Sequence, residues 1–69
     1  MINFEFDPEE TVEWSGVGVL TLRMAVCWIM DLPPENRRLV VLYRNAGKAP
    51  AFFALSHLEQ LAALPEFRR

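Results

Sequence analysis

At the start of the chain, "INFEF" alternates cleanly, with Ile2, Phe4 and Phe6 on one face and Asn3 and Glu5 on the other. A period of two is the signature of a half-buried strand. "DPEE" follows, and it reads in two ways. Asp7 as N-cap, Pro8 at N1 and Glu10 at N3 would start a helix. The same residues fit a type I turn with Pro8 at its second position. The turn is preferred, because "TVEW" resumes the alternation, with Val12 and Trp14 inward and Thr11 and Glu13 outward. On this reading the first two strands form a hairpin.

Next comes "GVGVLTLRMAVCWIM", residues 16–30, whose only charge is Arg23. Its first six residues alternate like a strand. From Thr21 onward Leu22, Val26 and Ile29 form a stripe at helical spacing, while Met24, Cys27 and Trp28 fall on other faces. Thr21 suits the N-cap, and Pro33 marks the stop. Residues 20–31 are read as the central helix, with a strand as the alternative. The run is too short for a membrane span, which needs about 20 apolar residues, and Arg23 interrupts it.

Downstream, "LVVLYR" (39–44) is rich in β-formers and apolar on both faces, as an inner strand would be. "NAGKAP" is a turn in which Gly47 is free to take positive φ. "AFFAL" returns as a second strand, with Pro50 at its entry, which suits an edge. "SHLEQLAAL" opens with a capping box from Ser56 to Glu59 and closes at Pro65. Leu58, Leu61, Ala62 and Leu64 form its inner face. The expectation is one α+β domain over residues 1–69, in the order ββαββα. An antiparallel sheet packs on the central apolar helix and the short C-terminal helix.

Composition narrows the function. At 69 residues and 52% hydrophobic, the chain must bury most of its apolar side chains to offset chain entropy. The single Cys27 excludes an intramolecular disulfide framework. "MINFEFDPEE" lacks the basic start and apolar core of a signal peptide, so a reducing, cytoplasmic location is expected. One His and one Cys do not make the usual zinc ligand set. His57 is expected to be an exposed residue beside the Ser56 cap, and Cys27 a buried, inert thiol. Adjacent helical side chains diverge, so Ser56 and His57 are not a catalytic pair. Gly16 and Gly18 lack the spacing and following Lys of a phosphate loop. No enzyme, cofactor or metal site is expected.

Charge is unevenly distributed. Residues 1–35 carry a net −6 and residues 36–69 a net +4, for −2 overall. The simplest account is a solvated polar surface. Beyond it, the acidic segment with nearby aromatics and methionines would meet a basic protein partner, through Glu9, Glu10, Glu13, Trp14, Met24 and Trp28. The alternative is nucleic-acid contact by Arg37, Arg38, Tyr43, Arg44 and Lys48, on the basic strand and turn. A pI near 5.2 opposes that alternative. In size, acidity and lack of catalytic residues the chain resembles the small inhibitors that phages and mobile elements make against host defence systems, a resemblance of type that no motif carries. The expected function is thus a small non-catalytic protein-binding domain, an adaptor or inhibitor. Met24 and Trp28 project from the central helix onto a second face, which a second copy in a homodimer would cover.

Overall fold

The computed structural model describes residues 4–67. Its sheet has four antiparallel strands in the order β2-β1-β3-β4: β1 (Thr11–Trp14), β2 (Gly18–Thr21), β3 (Leu42–Tyr43) and β4 (Phe52–Phe53). Helix α1 (Leu22–Met30) follows β2 directly, α2 (Pro34–Arg37) is a single turn, and α3 (Leu55–Ala62) leads into a 3₁₀ turn over Pro65–Phe67. The α+β class and the antiparallel sheet are those the sequence predicts.

The preferred turn at residues 7–10 is present, since the Glu10 N–H donates to the Asp7 carbonyl at 2.9 Å. The hairpin, however, is made by different partners. "TVEW" pairs with "GVLT" across Ser15–Val17, not with "INFEF". Ile2 and Asn3 lie outside the described residues, and Phe4, Glu5 and Phe6 belong to no strand. Their alternation has another use. Phe4 and Phe6 lie 6.3 Å apart and face the interior, Phe4 against Phe53 and His57, and Phe6 against Phe67. Ring packing, rather than a backbone ladder, fixes this segment.

The expected helix over 20–31 is confirmed as α1, two residues shorter at its start. Thr21 caps it, accepting from the Met24 N–H at 3.2 Å. Leu22, Ala25, Val26 and Ile29 are buried, and Cys27, expected inside, is only half-buried. The strand expected over 39–44 contracts to Leu42–Tyr43, and the one over "AFFAL" to Phe52–Phe53. Leu39 is 76% exposed. The chain leaving α2 still turns there, and the Val40 N–H donates to the Arg37 carbonyl. Gly47 has φ +89° in the expected turn.

The capping box is displaced. Helix α3 begins at Leu55 with Ala54 as its N-cap, so Ser56 lies inside the first turn and is exposed. Alanine has no side-chain acceptor for the first-turn amides. Instead His57 Nδ1 accepts the Ala54 N–H at 3.0 Å, the back half of a capping box with imidazole in place of Glu. His57 is half-buried between the Phe4 and Phe53 rings, at 5.3 and 6.1 Å. The expectation of an exposed His57 fails because that cap and those rings hold it inward.

Both α1 and α3 lie on one face of the sheet. Between them and the inner residues Val12, Leu42 and Phe53 sits a continuous core that also takes in Val40, Leu58, Leu61 and Phe67. Among the described residues, no helix covers the opposite face. Among the described residues, no helix is long and apolar enough to cross a membrane.

Candidate protein-binding surface

The uncovered sheet face follows from register and parity. Side chains alternate between faces along a strand, and Val12, Trp14, Leu42 and Phe53 point toward the helices. Their neighbours therefore point out. Glu13 pairs with Val19 on one side and Tyr43 on the other, and Tyr43 pairs with Phe52. Val19, Glu13, Tyr43 and Phe52 thus form one row across all four strands. Their exposures are 72% for Val19, 51% for Tyr43 and 45% for Phe52, and Glu13 is exposed as well. The row is apolar and aromatic, with one carboxylate at its centre.

A second exposed patch lies on α1. Met24 and Trp28, one turn apart, are each 48% exposed, as the helical spacing predicts.

Other predicted contact residues are engaged within the fold. Arg44 and Glu10 extend the inner rows of β3 and β1, and their side chains are only 1% and 6% exposed. Arg44 Nε and Nη2 bond the two Glu10 carboxylate oxygens at 2.9 and 3.2 Å. The same guanidinium donates to the carbonyls of Pro50 (3.1 Å) and Glu5 (2.9 Å) and lies 4.5 Å over the Phe53 ring. Glu10 also accepts the Asp7 N–H at 3.0 Å. A guanidinium with this many donors in a rigid fork suits such a hub. Both side chains are thus held within the fold, whereas the sequence reading set them at a contact surface.

Arg37 is likewise turned inward. It is half-buried, and it donates to the carbonyls of Met30 (2.7 Å) and Leu32 (2.9 Å). These groups lie at the end of α1 and just beyond it, where helical carbonyls lack intrahelical partners and a cation is favoured. Trp14, expected to anchor a partner, is half-buried on the inner face, where it packs against the core. Glu9 stays at the surface in an ion pair with Arg23 at 2.7 Å, the side chains 64% and 48% exposed. Arg23 also donates to the Glu66 carbonyl and so ties α1 to the C-terminal turn. Of the proposed nucleic-acid contacts, Arg38, Tyr43 and Lys48 are exposed.

An open cavity of about 660 Å³ lies between residues 4–7 and the turn after β3, lined in part by Phe4, Phe6, Asp7, Arg44 and Lys48. Arg44 is taken by Glu10, and the Asp7 carboxylate accepts the Glu9 N–H at 2.9 Å. No group of three His, Cys, Asp or Glu among the described residues could hold a metal ion.

Two members of the exposed row, Val19 and Phe52, are absent from the sequence-based list. Parity could have found Phe52. In "AFFAL" two adjacent aromatics on one strand must point to opposite faces, so one of them faces away from the core. Val19 needed the knowledge that residues 18–21 pair with 11–14. No protein-family model, curated protein or solved structure matches the chain.

Proposed function

We propose that the protein is a non-catalytic protein-binding domain that takes its partner on the open face of the sheet. The observation that carries the reading is the row Val19–Glu13–Tyr43–Phe52, in register across four strands and left exposed by the described residues. Aromatic side chains are enriched where proteins bind one another. A lone carboxylate among apolar groups selects a partner that places an Arg or Lys opposite it, and Tyr43 beside Glu13 offers that cation a ring face. An adaptor and an inhibitor would both act through such a surface.

The nucleic-acid alternative has less to stand on. Two of its four cations, Arg37 and Arg44, are spent on internal carbonyls and on Glu10. A phosphate-tracking groove needs several cations together.

Site-specific photocrosslinking tests the proposal. A photoreactive phenylalanine analogue replaces Phe52 on the open face, or Glu59 on α3 as a control, in the cells that make the protein. A discrete protein adduct from position 52 and none from position 59 is expected. Equal labelling from both positions, or adducts to nucleic acid from position 52, would overturn the reading.

A further inference from the structure

The two edges of the sheet differ. β4 is two residues long and follows Pro50, and short edges near proline resist pairing with another strand. β2 is four residues, Gly18–Thr21, with no charge and no proline. It lacks the lysines and prolines that blunt most exposed edges.

The backbone of β2 has an open position. The Leu22 N–H donates to the Glu10 carbonyl at 2.8 Å, which extends the β1–β2 register by one pair. Hydrogen-bonded pairs alternate along an antiparallel ladder. Leu22 therefore turns its N–H, and Leu20 both its N–H and C=O, toward β1, and Val19 turns both of its groups to the open side. The side chain of Val19 is 72% exposed.

The apolar flank of α1 lies above the same edge. Arg23 reaches the Glu66 carbonyl and so marks the flank on the side of the C-terminal turn. At 100° per residue, Met24 and Trp28 lie about 100–140° further round, on the flank away from that turn. Because α1 packs on β1 and β2 and against α3, and α3 packs on β4, a flank turned away from α3 faces the β2 side of the sheet. Arg23 is the only charged residue in α1, so that flank is uncharged.

We propose that the protein forms a two-fold dimer in which β2 pairs antiparallel with β2 of a second copy. Val19 meets its symmetry mate at the axis and exchanges two backbone hydrogen bonds with it. The sheet then runs through eight strands. Strands lie about 4.8 Å apart, and α1 rides over the β1–β2 pair. The two copies of α1 therefore lie about two strand spacings apart, close to the 8–10 Å at which helices pack. Met24 and Trp28 of each copy fill that gap. A lone strand from an unrelated partner would satisfy Val19 but leave the Met24–Trp28 flank uncovered, whereas a second copy covers both. The dimer also aligns two open faces side by side, so it rests on the same sheet as the proposed function without using Tyr43 or Phe52.

Sedimentation equilibrium on the full chain at 5–100 μM, with Val19→Pro, Trp28→Glu and Tyr43→Ala/Phe52→Ala variants, tests the dimer. The parent is expected at twice its 8.0 kDa mass. Val19→Pro removes an outward N–H at an edge position, where proline is tolerated, and should leave the circular dichroism unchanged. Two net hydrogen bonds contribute about fivefold each, so it should weaken association at least about tenfold. Trp28→Glu should weaken it more. Tyr43→Ala/Phe52→Ala should not change the mass, which separates this proposal from the proposed function. Amide exchange needs no variant to fold: the Val19 N–H should be protected at high protein concentration and exchange faster on dilution. A parent that stays monomeric at 100 μM overturns the dimer, as does a dimer that persists in both Val19→Pro and Trp28→Glu. Dissociation by the Tyr43/Phe52 double variant, or fast Val19 exchange at every concentration, would also overturn it.

Discussion

Removing Glu10 should come close to unfolding the domain. Its carboxylate receives two bonds from Arg44 and one from the Asp7 N–H, and the two side chains are 6% and 1% exposed. In Glu10→Ala the guanidinium stays buried, with the carbonyls of Glu5 and Pro50 as its remaining oxygen partners. Breaking one side of a buried pair costs about 3–5 kcal/mol, because an uncompensated charge is left in low dielectric. A chain of 69 residues has a total stability of only about 3–10 kcal/mol. The single change therefore removes about three-tenths of it at the least. Arg44→Ala should cost as much or more, since it also frees two carbonyls and the face of Phe53. The double variant leaves no buried charge, so it should fall short of the sum by about 2–3 kcal/mol, near the upper end of measured couplings. Urea unfolding followed by circular dichroism and by Trp14 and Trp28 fluorescence, with slopes held equal across variants, gives all four corners of the cycle. A coupling below about 0.5 kcal/mol would refute the reasoning. The pair would then be solvated in solution, and the fold would not depend on it.

Three further outcomes follow from other internal contacts. Ser56→Ala should leave the melting temperature unchanged, because Ser56 is an exposed first-turn residue, whereas His57→Ala should cost about 1 kcal/mol and lower Tm by roughly 4–8 °C. Arg37→Ala should destabilise by about 1.5–3 kcal/mol in urea by freeing the carbonyls of Met30 and Leu32, while Arg38→Ala should stay within about 0.5 kcal/mol of the parent. Thr21→Ala should cost about 1 kcal/mol and raise amide exchange in the first turn of α1, read by NMR, since the Met24 N–H loses its acceptor.

The elements whose signals are local were legible in the chain itself. Val12 and Trp14 alternate with polar neighbours, Leu22, Val26 and Ile29 recur at helical spacing, and Thr21, Pro8 and Gly47 are residues whose backbone preferences act within a turn. Burial, capping and turn geometry at these positions need no distant partner, so reading along the sequence reaches them. The exposed sheet row and the exposed patch on α1 were half legible for the same reason. Met24 and Trp28 follow from the helical period, and Glu13 from the strand period.

Pairing and charge were decided by the tertiary structure. The alternation of "INFEF" satisfies a strand and a strip of rings equally well, and only the positions of Phe53, His57 and Phe67 select the rings. "GVLT" became β1's partner because three intervening residues close a hairpin, a choice that Val17 and Val19 do not announce. Glu10 and Arg44 look like any surface charges, since burial of an ion pair is a property of two strands brought together 34 residues apart in sequence. The same holds for the row Val19–Glu13–Tyr43–Phe52. Each residue knows its own parity, but which strands lie side by side, and which face the helices leave open, is settled by the packing of α1 and α3.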